Sequence, residues 1–217
     1  MDPVESRYVA APPVEPRAPI RKMLIYSTLL LWAAACVVVG TYLLASHLLT
    51  LPAPAPTDPV LHREIATHRG AHQLDRWLVL HVVYDECVCS QRVLDHLLAD
   101  NRPPGVAERV VLVTDHRERR TAWIAAIPAH GFELDVVTPQ QLVTDYHIQA
   151  APLLVIVDPH DTVRYVGGYT PRKQASDVRD LAVIAAVQRG ATVEPLPTFG
   201  CAIGRALNSR LDPLGIR

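Results

Sequence analysis

One uninterrupted apolar stretch dominates the first quarter of the chain. Residues 23–49 contain no Asp, Glu, Lys or Arg. About 20 apolar residues are enough for a helix to span a bilayer, so this stretch predicts one transmembrane helix. A cleaved signal peptide has a shorter apolar region of ~7–15 residues and a shorter basic lead-in. We therefore expect an uncleaved anchor.

A different pattern begins at Trp77, where short apolar runs alternate with amphipathic stretches. The Leu- and Val-rich runs predict strands, at 77–84, 109–114, 132–137, 153–158 and 162–167. Apolar positions three and four residues apart predict helices, at 90–99, 117–130, 139–146 and 175–188. Alternating strands and helices followed by a hairpin predict an α/β fold. Its central mixed sheet is mainly parallel with an antiparallel edge, and helices cover both faces.

The remaining stretches complete the predicted domain organisation. Residues 1–22 are Pro-rich and lack apolar periodicity, which predicts a disordered tail. Residues 50–73 predict a Pro-rich linker that starts as a stiff extended spacer and continues as a polar lead-in, which is helical or irregular. The α/β domain is expected over residues 74–190, followed by a C-terminal extension over residues 191–217. Apolar residues in this extension suggest that it docks on the domain.

Charge predicts the orientation in a membrane. Arg21 and Lys22 directly precede the apolar stretch, and its other flank has no basic cluster. The positive-inside rule places the N-terminal tail in the cytoplasm and everything after Leu49 outside it. In a bacterium this predicts a single-pass inner-membrane protein with a periplasmic C-terminal domain, in contact with lipid through residues 23–49. The formal net charge of −1 gives no sign of a nucleic-acid partner.

Three of the four cysteines are candidates for chemistry. Cys36 lies in the apolar stretch and is expected to be a small apolar residue of the span. Cys87 and Cys89 are one residue apart, where the first strand gives way to a helix N-terminus. Free backbone N–H groups and the helix dipole favour a thiolate there. Cys201 is a possible accessory thiol in the extension. An iron–sulfur cluster normally needs four cysteine ligands, more than the three outside the span.

The cysteine pair and a later segment resemble the thioredoxin-like superfamily. The later segment is Tyr146-His-Ile-Gln-Ala-Ala-Pro152 followed by Leu-Leu-Val-Ile-Val-Asp158. The extra helix and strand between residues 117 and 137 resemble the insertion of the TlpA-like branch, which contains membrane-anchored thiol–disulfide oxidoreductases. The resemblance implies that Pro152 is cis and faces the cysteines.

Two features depart from the pattern of that superfamily. The usual motif has two residues between the cysteines, whereas this chain has only Val88. The aromatic residue that usually precedes the first cysteine is replaced by Asp85-Glu86.

The leading hypothesis is extracytoplasmic thiol–disulfide exchange with protein thiols or disulfides, without a cofactor. Cys87 is expected to be the exposed attacking thiol, and Cys89 the thiol that resolves the mixed disulfide. Pro152 fixes an extended segment that could pair with a substrate peptide. A disulfide across one residue departs from relaxed geometry, which makes it easier to reduce. Asp85 and Glu86 act in the opposite direction by disfavouring the thiolate, and we expect ring strain to dominate.

Two alternatives use the same residues. Two thiolates and a histidine suit a soft ion such as Cu(I), with His147 as the best third ligand because its loop should face the cysteines. Alternatively, the domain is a redox-silent interaction subunit of a membrane complex. Cys201 could exchange disulfides with the pair, bind a metal or link two chains. The direction of electron flow and the partner are not identified by the sequence.

Overall fold

The structure, a computed structural model, describes residues 18–70, 73–99, 102–173 and 176–211, and the chain divides into two compact units between His47 and Leu48. Helix α1, Ala18–Leu48, accounts for most of the described part of the first unit. Its segment Ile20–Leu44 is long and apolar enough to cross a membrane, and its apolar side chains are exposed. The predicted long apolar helix is therefore confirmed. Most of the predicted disordered tail lies outside the described residues.

The second unit is organised around a five-stranded mixed sheet. Its strands are β1 (Trp77–Tyr84), β2 (Val106–Val113), β3 (Glu133–Val137), β5 (Leu153–Val157) and β6 (Val163–Gly167). Between β3 and β5 lies β4 (Ala150–Ala151), which pairs with β7 (Cys201–Ala202). The large sheet has the order β3-β2-β1-β5-β6, in which β1, β2 and β3 are parallel and β5 and β6 antiparallel to their neighbours. This matches the predicted parallel sheet with an antiparallel edge.

Six α-helices accompany the sheet within the described ranges. They are α2 (Pro59–His68), α3 (Val88–Ala99), α4 (Thr121–Ala129), α5 (Pro139–Asp145), α6 (Asp180–Gln188) and α7 (Arg205–Leu211). Successive residues of β1 point to opposite faces, so Leu80 and Val82 enter one core and Val79 and Val83 the other. The first core also takes residues of α2 and α5, and the second takes residues of α3, α4 and α6. Helices therefore cover both faces, as predicted.

The lead-in, predicted to be helical or irregular, contains α2, whose N-terminal N–H groups are capped by the Asp58 carboxylate. Two other predicted elements differ from the structure. The helix predicted over residues 117–130 divides into a short 3₁₀ turn, Arg117–Arg119, and α4. The helix predicted from residue 175 begins only at Asp180, because the backbone N–H of Arg179 donates to the Tyr169 carbonyl instead of starting a helical turn.

The start of the Pro-rich linker belongs to the folded unit. The Leu51 N–H donates to the Thr198 carbonyl at 2.8 Å, in an isolated antiparallel bridge. Thr198 is itself buried. The expectation of a spacer free of the domain is therefore wrong at its first residues, because their backbone is paired with the C-terminal extension.

Candidate thiol site

Cys87 lies at the junction between β1 and α3. Its N–H donates to the Tyr84 carbonyl at 3.0 Å, which closes the turn that leaves the strand. Its own carbonyl accepts the Gln91 N–H at 3.0 Å, so Cys87 is the residue just before the helix and Cys89 is the second helical residue. The predicted position of the pair at a helix N-terminus is confirmed, with the helix starting two residues earlier than expected.

Cys87 is completely buried, whereas Cys89 and Cys201 are partly exposed. All three are free thiols. The expectation that Cys87 would be the exposed thiol is wrong, because residues 196–203, called here the C-terminal segment, pass close to it. In this segment β7 pairs with β4, which sets Cys201 opposite Ala151.

The peptide bond between Ala151 and Pro152 is cis, as the resemblance implies. The Cys87 sulfur lies 3.7 Å from the Ala151 carbonyl oxygen, which immediately precedes this bond. The cis proline, the helix-borne cysteines and the C-terminal segment therefore meet at one place, although they come from three distant parts of the sequence.

The C-terminal segment is held by backbone hydrogen bonds along its length. The Gly168 N–H donates to the Leu196 carbonyl at 2.8 Å, and the Ile203 N–H donates to the Gln149 carbonyl at 2.7 Å. Between them, Gly200 approaches the cis peptide so closely that a β-carbon there would lie 1.9 Å from the Ala151 oxygen. A glycine is therefore required at this position for Cys201 to reach the site. Docking of the extension, expected from its apolar residues, is confirmed.

The acidities of the three thiols are linked. Hydrogen bonds from the Cys201 and Cys89 thiols lower the pKa of Cys87 far below the usual thiol value; burial opposes them, and the Ser90 N–H adds to them. The pKa values of Cys89 and Cys201 are raised, because each thiol donates to the Cys87 sulfur and is partly buried. Cys87 is therefore the most acidic of the three thiols.

The acidic residues before Cys87 have separate roles. Asp85 is buried, and its Oδ2 accepts hydrogen bonds from the Thr114 hydroxyl at 2.7 Å and from Arg120 Nε at 2.9 Å. Arg120 also donates to the Asp85 carbonyl at 3.1 Å, so its charge compensates the carboxylate and fixes the turn. Glu86 is exposed and accepts a hydrogen bond from the Tyr84 hydroxyl at 2.8 Å. No sequence pattern singles out Thr114 or Arg120, because their contact with Asp85 depends on the fold.

His147 makes its contact with another part of the domain. Its Nδ1 lies 3.1 Å from Oδ2 of Asp58, so the histidine supports the residue that caps α2. Its side chain is about half exposed, and its backbone has a left-handed φ of 56°. Within the described ranges, no group of three or more His, Cys, Asp or Glu side chains is arranged to hold a metal ion. The structure thus does not bring His147 to the cysteines.

A small cavity of about 40 Å³ adjoins the cluster on the side of Cys89. Pro152, Tyr169 and Phe199 are among its lining residues.

Comparisons with known proteins establish similarity of fold. No known family profile and no curated protein matches the chain. A hypothetical protein from Sinorhizobium meliloti is similar in structure with a TM-score of 0.50 and 23% identity, over 61% of this chain and 82% of that one. An uncharacterized conserved protein from Geobacillus kaustophilus has a TM-score of 0.48 and 19% identity, over 72% of this chain and 90% of that one. The dsbF protein of MTB has a TM-score of 0.39 and 20% identity, over 52% of this chain and 83% of that one.

The predicted fold class is confirmed by the arrangement of the elements. The mixed sheet, the cysteines at the start of α3 and the cis proline before β5 together form a thioredoxin-like fold.

Proposed function

We propose that this protein is a membrane-anchored thiol–disulfide exchange protein that reacts through Cys87, with Cys89 as its helix-borne partner. The observation that carries this proposal is geometric: Cys87 lies at a helix N-terminus, with its sulfur 3.7 Å from the Ala151 carbonyl oxygen that precedes Pro152. The lowered pKa of Cys87 supports the proposal, because the thiolate is the nucleophile in disulfide exchange.

The exchange takes two steps. The Cys87 thiolate attacks one sulfur of a substrate disulfide, forming a mixed disulfide and releasing the other substrate sulfur as a thiolate. A second cysteine of the protein then attacks the Cys87 sulfur, which releases the second substrate sulfur and leaves a disulfide in the protein. The substrate gains two electrons and the protein loses two. The reverse sequence oxidises a substrate dithiol.

The acidity of Cys87 favours the oxidising direction. Because the hydrogen-bonded thiolate stabilises the reduced protein, the corresponding disulfide is easier to reduce and is a stronger oxidant. Asp85 does not reverse this, since Arg120 compensates its charge.

The proposed place of action is the periplasmic side of a bacterial inner membrane. Helix α1 has the length and composition of a single-pass anchor, and Arg21 and Lys22 at its start favour a cytoplasmic N-terminus. An oxidising compartment is also where protein disulfides persist and can serve as substrates.

Single substitutions test the exchange activity. We expect Cys87→Ser to abolish exchange between the reduced full-length protein and a small disulfide, since it removes the nucleophile. Cys36→Ser is the matched control, and it should exchange as the unaltered protein does. Retention of exchange by the Cys87→Ser variant would contradict the proposal.

Cu(I) binding is the alternative that the residue types suggest, although no group of three His, Cys, Asp or Glu side chains among the described residues is arranged to hold a metal ion. It requires stoichiometric Cu(I) uptake that is lost in Cys87→Ser, in a protein that exchanges no disulfides. The redox-silent alternative requires neither activity, and a membrane complex that assembles normally without Cys87 and Cys89.

A further inference from the structure

The C-terminal segment lies on the edge where an extended substrate peptide was expected to pair. β7 and β4 form an antiparallel pair in which Ala202 faces Ala150 and Cys201 faces Ala151. Residues that face one another in such a pair have β-carbons about 5 Å apart. Ala151 also contacts the Cys87 sulfur through its carbonyl. Cys201 is thus delivered to Cys87 by backbone pairing, in the manner expected of a cysteine in a bound peptide.

Cys89 is less well placed to form a disulfide with Cys87. It is the second residue of α3, and its thiol also approaches the Cys87 sulfur. A disulfide between the two nevertheless closes a small ring, which departs from relaxed geometry. Cys201 comes from a separate segment, so a bond from Cys87 to Cys201 closes no small ring.

We propose that Cys201 is the resolving cysteine of this site, so that the disulfide of the oxidised protein joins Cys87 to Cys201. This inference rests on the proposed exchange function and deepens it by assigning the second reacting thiol. Cys201 attacks the Cys87 sulfur of the mixed disulfide; the bond between Cys87 and the substrate breaks, and the bond between Cys87 and Cys201 forms. The substrate sulfur leaves with the electron pair of the broken bond.

The proton balance of this step follows from the charge of the cluster. While Cys87 is a thiolate, its charge and its hydrogen bond keep the proton on Cys201. Once the Cys87 sulfur is bound to substrate, that charge is gone and Cys201 can ionise. The proton passes to the departing substrate thiolate. Cys201 is therefore held inactive until a mixed disulfide exists.

The position of the C-terminal segment also accounts for the burial of Cys87. A protein substrate cannot reach a fully buried sulfur until residues 196–203 move away from the cis-proline edge. After attack, return of the segment brings Cys201 to the mixed disulfide and expels the product from the same edge. Access and resolution are thereby performed by one movement.

Disulfide mapping of the full-length protein tests this assignment. After oxidation with oxidised glutathione, proteolysis and mass analysis, we expect a peptide pair joined through Cys87 and Cys201. Cys89→Ser should keep this bond. Cys201→Ser should lose it and accumulate Cys87 as a mixed disulfide with glutathione. A bond between Cys87 and Cys89 as the main product, lost in Cys89→Ser and kept in Cys201→Ser, would overturn the inference.

A pair of glycine variants tests the geometry with every thiol present. Gly200→Ala brings a β-carbon against the Ala151 oxygen and should displace Cys201, with loss of the Cys87–Cys201 disulfide and faster alkylation of Cys87. The matched control is Gly204→Ala, whose β-carbon would meet its nearest neighbour, a Val143 methyl group, at an ordinary 3.5 Å. An unchanged disulfide and alkylation rate in Gly200→Ala would contradict the inference.

The two proposals fail in different ways. Loss of all exchange in Cys87→Ser together with unaltered mapping and exchange in Cys201→Ser rejects the role of Cys201 and leaves the exchange function standing. Exchange that persists in Cys87→Ser rejects the function itself.

Discussion

At the scale of residues, the chemistry depends on which of three neighbouring sulfurs carries the charge. Cys87 is central: it receives the thiols of Cys89 and Cys201 and the N–H of Ser90. Burial alone would disfavour a thiolate, so these donors must outweigh it. The acidity of Cys87 therefore depends mainly on hydrogen bonds.

Removal of one donor should change the acidity of Cys87. In Cys201→Ala the largest cause of the lowered pKa is absent, so we expect the pKa of Cys87 to rise. The pH at the midpoint of Cys87 alkylation, followed by mass, measures it. The alkylation rate also changes, because the Cys201 side chain no longer shields Cys87. The midpoint pH, in contrast, reports the ionisation of Cys87. Cys36→Ala serves as the control, and a midpoint in Cys201→Ala at or below that of the control would contradict the account.

Sequence and structure agree on where Cys87, Cys89 and Pro152 lie in the fold, and they differ on the exposure of Cys87. The positions of Cys87, Cys89 and Pro152 followed from local patterns and from the resemblance. The burial of Cys87 did not, because the segment that covers it is more than a hundred residues away in the sequence. His147 was predicted to approach the cysteines from its place in the loop before Pro152, but its ring pairs with Asp58, another contact that the sequence does not encode locally.

At the scale of elements, a buried polar network joins β1, β2, α3 and α6 on the face that holds α3. His81 is fully buried, with Nδ1 2.9 Å from the Tyr169 hydroxyl and Nε2 3.1 Å from the Glu108 carboxylate. Arg102 donates to both Glu108 and Asp180. Breaking such a network leaves a buried charge without compensation, which is strongly destabilising.

This network predicts a loss of stability in acid. Burial would raise the pKa of Glu108, but hydrogen bonds from Arg102 and His81 outweigh it and lower the pKa from 4.5 to about 2. Its contribution, about 3 kcal/mol at most, is complete above pH 4.5 and is lost as the pH falls towards 2. Glu108→Gln should flatten the fall in unfolding free energy over this range, measured by denaturant titration. The exposed Glu118→Gln is the control, and equal slopes in both variants would count against the network.

Element boundaries were predictable where local signals and tertiary contacts agree. Strand β1 was predicted with its observed bounds, because a buried strand bounded by charge is a strong pattern. Helix α2 was not predicted as a defined helix, because its apolar positions are few, although Asp58-Pro59 is a capping signal. Strands β4 and β7 are two residues each and exist only through their mutual pairing, which no local pattern reveals.

At the scale of the whole molecule, the chain combines an apolar helix with a folded unit that begins at Leu48 and includes the C-terminal segment. The long apolar helix was predictable because length and composition alone define it. The extent of the folded unit was not, because Leu51 and Thr198 join its two ends by a single backbone pairing.

The proposed topology is open to a direct test. In intact bacterial spheroplasts, we expect added protease to digest the thioredoxin-like unit and membrane extraction at high pH to leave the protein in the membrane. Replacing Arg21 and Lys22 by Glu should reduce the protected orientation of the N-terminus, since those two charges set it. Protection of the folded unit in intact spheroplasts would contradict a periplasmic location.

The most direct test of the central claim is a redox titration of the full-length protein against glutathione buffers of set potential, with trapped thiols counted and located by mass. The account predicts a transition of two thiols that always includes Cys87, with a midpoint near or above about −200 mV, as for an oxidant or isomerase. If Cys87 stays reduced at every potential, thiol–disulfide exchange is not the function of this site.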